Sequence, residues 1–257
     1  MGAVATARSV VDRAREEQLG LLAASIAYHA FFSIVPLLLL VLAIGSPVGG
    51  QAFADRLVDL VGDQLSAQGR TVTERALTSP SGRGGASVVG VVGLLWGGLK
   101  VFRAVDVAFD RVYRVGEDSS LVRQLVDGVL LLVLVGLAAV VTIGLGAVIR
   151  RAELIGVPGV SVLGWIGLVV GLLVVFLPVF YVMAPVDVHL REVVPGAVFA
   201  VAGWLVLQAG FQVYAATAGD YQAYGLLGAV MLFLAWLYFA GVLVLLGATI
   251  NAVLSDR

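Results

Sequence analysis

From Gly128 to Ile149 the chain carries no charged residue; four further stretches of similar length also carry none, and a fifth carries two. A helix needs about 20 apolar residues to cross the hydrocarbon core of a bilayer. Inside that core every backbone polar group must find its partner within the protein. Repeated runs of this length leave few folds open besides a bundle of membrane-crossing helices. Composition agrees, with 60% of residues hydrophobic and 13% charged, against about 25% charged in soluble domains.

The expected fold class is all-α: a polytopic membrane helix bundle of six transmembrane helices with amphipathic interfacial helices. The spans are expected at Leu21–Ile44, Ala86–Val105, Gly128–Ile149, Val160–Val182, Pro195–Ala216 and Tyr224–Ile250. The first is too long for the apolar region of a signal peptide, about 7–15 residues, and is read as a retained span. Residues 1–20 form an N-terminal interfacial helix, 21–251 the six-span domain and 252–257 a short cytosolic tail. Within the domain, 46–85 make an outer loop with its own amphipathic helix, and 103–123 an inner helical extension. With the N-terminus in the cytosol, inner segments carry ten Lys and Arg residues and outer segments six. The positive-inside rule then places both termini in the cytosol.

Val4, Ala7, Val11 and Ala14 recur at helical spacing, with Arg8, Asp12 and Arg15 between them. This pattern suits a helix on the inner leaflet or a lid packed on the bundle. Phe53, Leu57, Leu60, Val61 and Leu65 make a similar stripe in the outer loop.

Several polar groups interrupt the apolar runs. In the first span, Tyr28 and His29 precede Ser33 and Pro36, and Ser25, His29, Ser33 and Pro36 share an arc of about 80°. Pro36 has no N–H, so the carbonyl of Phe32 loses its helical partner beside His29 and Ser33. Two readings stay open: a proton- or ligand-binding point in a cavity wall, or a structural kink satisfied by a neighbouring helix. At the end of the second span, Lys100, Arg103, Asp106, Asp110, Arg111 and Arg114 follow a clean apolar run. Arg103–Asp106 and Asp110–Arg114 are spaced for pairing along a helix. They make either a charged mouth or a solvated juxtamembrane helix. Trp204, Gln208 and Gln212 stand at i, i+4 and i+8 of the fifth span, as interhelical glue or cavity lining. Pro195 fits that helix's first turn. Trp236 and Tyr238 lie too deep for an interfacial belt and are expected inside the bundle. His189 reads as part of a solvated loop, Asp187–Glu192.

Other chemistry is absent. With no cysteine, disulfides, iron–sulfur clusters and thiol catalysis are excluded. A net charge of −1 argues against a nucleic-acid partner. The chain has no Walker loop, no G-x-S-x-G, no H-E-x-x-H and no clustered metal ligands. No catalytic residue, cofactor or metal is expected.

Ala24 to Pro36, with Tyr28, His29 and Ser33, resembles the first-span signature of the YihY/BrkB family of membrane proteins. So do Leu95-Trp96, Phe102-Arg103-Ala104 and Asp110-Arg111-Val112-Tyr113. So do Pro195-Gly196-Ala197, Trp204 with Phe211 and Tyr214, Tyr224-Gly225, Trp236-Leu237-Tyr238 and Leu246-Gly247-Ala248. The chain departs from the family at His29, usually a second aromatic, at Asp110, usually Asn, and at Thr249, usually acidic. The resemblance implies a six-span inner-membrane protein. It links members to serum resistance and one branch to export of a lipid A precursor. The family once bore the name ribonuclease BN; no loop here offers the metal ligands or basic track that a nuclease needs. The leading expectation is a transporter or flippase-like protein for a lipid or amphipathic substrate. Its cavity would be lined by Tyr28, His29, Ser33, Pro36, Gln208 and Gln212, with Lys100 and Arg103 at the mouth. The alternative is a scaffold or envelope-assembly protein. Expected partners are membrane lipids, with a second copy of the chain also considered.

Overall fold

The computed structural model describes residues 2–33, 97, 99–116, 128, 130, 160–217 and 225–255. Every regular element among them is a helix: α1 (Ala3–Glu16), α2 (Leu19–Ser33), α3 (99–113), α4 (Val160–Val182), α5 (Leu190–Thr217) and α6 (Gly225–Leu254). Among the described residues, three stretches are long and apolar enough to cross a membrane: Gly164–Val182, Leu190–Tyr214 and Val230–Leu254. They match the fourth, fifth and sixth expected spans. Of the first expected span, residues 21–33 are described and 34–44 are not; the second and third fall largely outside the described residues, and the outer loop 46–85 lies wholly outside them. At 1.5 Å per residue, the 30 residues of α6 extend about 45 Å, more than the hydrocarbon core requires.

The chain forms two compact units. One comprises residues 1–26, 102–221 and 235–257; the other comprises 27–101 and 222–234. The core of the first unit gathers helix ends. It holds Leu19 and Ala23 from the start of α2, and Phe109, Val112 and Tyr113 from the end of α3. Phe180 and Met183 join from the end of α4, Val193 and Ala197 from the start of α5, and Leu245 and Ala248 from α6. Two helix starts and three helix ends thus meet in one cluster. That is the alternation required of a chain that crosses a membrane back and forth.

Local chemistry sets the helix ends. Gln18 takes a positive φ of 53°, which stops α1, and its carbonyl then accepts the N–H groups of Leu21 and Leu22 at 2.9 and 3.3 Å to start α2. α3 closes with the paired hydrogen bonds of a Schellman motif: Val115 N–H to Asp110 C=O at 3.0 Å and Arg114 N–H to Arg111 C=O at 3.1 Å. The αL residue of that motif is usually glycine, but here it is Arg114, with φ 57°. α3 therefore ends at 113, and residues 117–123 of the expected helical extension lie outside the described residues.

α5 begins earlier than its hydropathy suggested. Glu192, third in the helix, reaches back so that its Oε2 accepts the His189 N–H at 3.2 Å. This is one half of a capping box, and it starts the helix at Leu190. Pro195 is consequently inside α5 rather than in its first turn, and the loop expected to run to Glu192 ends at His189.

Candidate functional site

In the first unit α5 and α6 approach closely at Gly196 and Gly247. Asn251, 1% exposed, accepts the Gly196 N–H at 2.7 Å through Oδ1 and donates from Nδ2 to the Val193 carbonyl at 3.3 Å. A Cβ added at Gly196 would collide with the Gly247 carbonyl. One added at Gly247 would stand 2.6 Å from Phe180 Cζ and 2.8 Å from the Gly196 carbonyl. Two glycines let the backbones touch, and a single amide bonds the helix segment that Pro195 interrupts. Gly196 and Gly247 each belong to a motif that carries the family resemblance, Pro195-Gly196-Ala197 and Leu246-Gly247-Ala248, but their meeting and the role of Asn251 did not stand out in the sequence. The available signal was one amide in an apolar run, near the chain's many glycines. Thr249, also buried, donates within its own helix to the Leu245 carbonyl at 2.7 Å.

Next along α5 is an aromatic group. Trp204 stands edge-on to Trp236, with ring centroids 5.1 Å apart, and to Phe176 at 5.7 Å. Tyr238 packs against the core, its hydroxyl 3.2 Å from where a Cβ of Gly20 would lie. Trp236 and Tyr238 are thus inside the bundle, as expected. Gly225 is the first residue of α6, and Tyr224 and Trp96 lie outside the described residues.

Beyond the tryptophans α5 changes character along a single face. Ala197, Val201, Trp204, Gln208 and Gln212 fall within an arc of about 80°. Ala197 and Val201 are buried and Trp204 half-buried, while Gln208 and Gln212 are exposed. Val206, Val213 and Tyr214 are exposed around the same far half. One stripe therefore passes from closed and apolar to open and amide-bearing, about 16 Å from Ala197 to Gln208.

In the second unit, the Ser33 hydroxyl donates to the His29 carbonyl at 2.8 Å, one turn back. Its oxygen lies 2.8 Å from where a Cβ of Gly97 would stand, so Gly97 allows a close approach. Tyr28, 56% exposed, meets His29 edge-on at 5.3 Å and Phe32 at 4.7 Å. Phe31 lies 6.3 Å from Phe233. Lys100 is an exposed residue of α3 in this unit. Pro36, on which the idea of a kink rested, lies outside the described residues. Of the candidate cavity residues, Tyr28, His29, Ser33 and Lys100 belong to the second unit, and Arg103, Gln208 and Gln212 to the first.

Charge at the gathered helix ends is arranged across α1 and α3. Asp110 is buried, with 5% exposure. Arg114 lies past the last helical residue, so the i,i+4 pairing with Asp110 that the spacing indicated does not apply to it. It turns instead to α1, with Nη2 to Glu16 Oε2 and Nε to Glu17 Oε1 at 3.2 Å. Arg13 sits in the same cluster. Its guanidinium is held below its ordinary pKa by partial burial and then by Arg114, and Glu17 and Glu16 oppose the shift. Arg114→Gly is expected to leave stability within about 1 kcal/mol of the parent. Glycine removes the αL strain of about 1–2 kcal/mol, while half-exposed ion pairs contribute about 0–1 kcal/mol. Thermal unfolding of the two proteins side by side checks this.

Three span-length apolar helices joined on one core make this a helical integral membrane protein. The chain belongs to the family described as virulence factor BrkB, whose family model matches residues 10–257. It is 27% identical over 248 residues to the putative ribonuclease-like protein YfkH of Bacillus subtilis, covering 91% of this chain and 89% of that one. It is 28% identical to a UPF0761 membrane protein of Alkalilimnicola ehrlichii, covering 96% of this chain and 57% of the relative. A UPF0761 membrane protein of Methylibium petroleiphilum is likewise 28% identical, with 96% and 61% covered. The chain thus spans little more than half the length of these two UPF0761 relatives. No solved structure matches it.

Proposed function

We propose that the protein gives passage to an amphipathic molecule, a membrane lipid above all, along a polar crevice beside α5. The observation that carries this reading is the stripe on α5 that opens from buried Ala197 and Val201 to exposed Gln208 and Gln212. An amide facing only hydrocarbon lacks hydrogen-bond partners, at a cost of several kcal/mol. A polar headgroup or water entering the crevice supplies those partners while acyl chains stay in lipid. Arg13, Arg15, Arg111, Arg114 and Arg191 near the gathered helix ends support a cytosolic location for that end. The same reading assigns the chain no nuclease activity, so purified protein is expected to leave labelled RNA uncut.

The test is transport of a labelled phospholipid by protein reconstituted in liposomes. Amide bonds within membranes are each worth about 0.6–2 kcal/mol. The double variant Gln208→Leu/Gln212→Leu is therefore expected to fold normally and move lipid about tenfold more slowly. A double variant that matches the parent overturns the assignment. If the two glutamines instead cross-link to a second copy of the chain, they are an interface between protomers.

A further inference from the structure

We propose that α1 is a lipid-contacting helix at the rim of the bundle, with Arg8 and Arg15 holding the phosphates of anionic lipids. This rests on the membrane character of the chain and is independent of lipid passage along α5.

The order of side chains around α1 carries the argument. Thr6, Val10, Arg13, Ala14 and Glu17 are its less exposed residues and share one face. Ala14 packs on the core, and Glu17 joins the Arg114 cluster. Val4, Ala7 and Val11 lie about 110° further round. They are open, Val4 at 79% and Val11 at 47% exposure. Next in the same direction come Arg8 and Arg15, both exposed, and beyond them Asp12, Ser9 and Glu16. The circuit therefore runs protein, apolar and open, cationic, then polar. A helix lying at a membrane surface against the side of a bundle needs that order: protein, acyl chains, phosphates, water.

Two tethers fix the height of α1. A two-residue turn, Glu17-Gln18, joins it to α2, an apolar helix. Arg114, the first residue after α3, ties Glu16 and Glu17 to that helix's end. α1 thus lies level with the ends of the helices it touches, where bilayer meets water. A soluble protein partner would meet an apolar stripe with the same exposure. It would not account for a row of cations between that stripe and the polar edge, whereas lipid phosphates do. Arg8 and Arg15 are seven residues apart, about 10 Å along the helix, room for a separate headgroup at each.

The chain has no cysteine, so single cysteines can be introduced at positions 4, 7, 9, 11 and 12 and spin-labelled. The full-length protein is placed in nanodiscs of phosphatidylcholine with and without phosphatidylglycerol. Labels at 4, 7 and 11 are expected to collide more with oxygen, which concentrates in lipid, than with a water-soluble nickel chelate. Labels at 9 and 12 are expected to show the reverse. Nickel access at 4, 7 and 11 overturns the proposal, as does shielding from both reagents, which would mark a protein covering the stripe. In mixed nanodiscs, phosphatidylglycerol enrichment around the protein is expected to fall about fivefold for each of Arg8→Gln and Arg15→Gln. Unchanged enrichment overturns the phosphate assignment even if the stripe proves to face lipid.

Discussion

Gly196→Ala is expected to cost about 3 kcal/mol of stability or more. The added methyl has nowhere to go, because the Gly247 carbonyl and the Asn251 amide already occupy its place. Backbone cannot step aside as the tip of a flexible side chain can. The helices must separate, and overpacking of this kind costs about 1–3 kcal/mol. Separation also pulls Asn251 from the Gly196 N–H, leaving buried polar groups unsatisfied at about 1–3 kcal/mol. Gly210→Ala is the control on the same helix, since a Cβ there meets nothing within 4 Å. It is expected to be neutral or to stabilise by up to about 1 kcal/mol through helix propensity. Thermal unfolding in detergent, followed by helical circular dichroism, compares the two. Equal melting of both variants would show that the crossing is not tight.

Phe180→Ala is expected to cost about 2–4 kcal/mol. The ring is fully buried, 6.3 Å from Phe109 and 6.4 Å from Phe176, and its edge abuts Gly247. Large-to-small changes in soluble cores lose both transfer energy and packing. In a membrane the transfer part shrinks, because lipid tails are as apolar as the core, and lost packing dominates. Phe239→Ala on α6 removes a ring that is half-exposed and is expected to be nearly silent. The same unfolding assay separates them, and a Phe180→Ala protein as stable as Phe239→Ala would overturn the prediction.

The apolar runs revealed α4 and α6 almost to their ends, because hydropathy over 20 residues is a local property. The start of α5 was hidden because Arg191 and Glu192 look like a loop. Their helical state depends on one carboxylate turning back on His189. Ordinary helix-end signals failed at Arg114, where an arginine holds a position that usually takes glycine. Trp236 and Tyr238 were placed inside the bundle from depth alone. Gly196, Gly247 and Asn251 meet across separations that no periodicity records. For the site, the sequence named Gln208 and Gln212 as polar, but that their face is exposed is a property of the folded chain. His29, Ser33 and Gly97 show the same limit: the pattern names the groups, and tertiary approach decides what they touch.

The clasp on α1 also bears on the order of events while the chain is being made. Glu16 and Glu17 find their partner about a hundred positions later, at separations of 98 and 97. Until α3 has emerged and turned at Arg114, the ion pairs to Glu16 and Glu17 cannot form. In a newly synthesised chain the clasp between α1 and the end of α3 is therefore among the later contacts to close, because its two halves are made about a hundred residues apart.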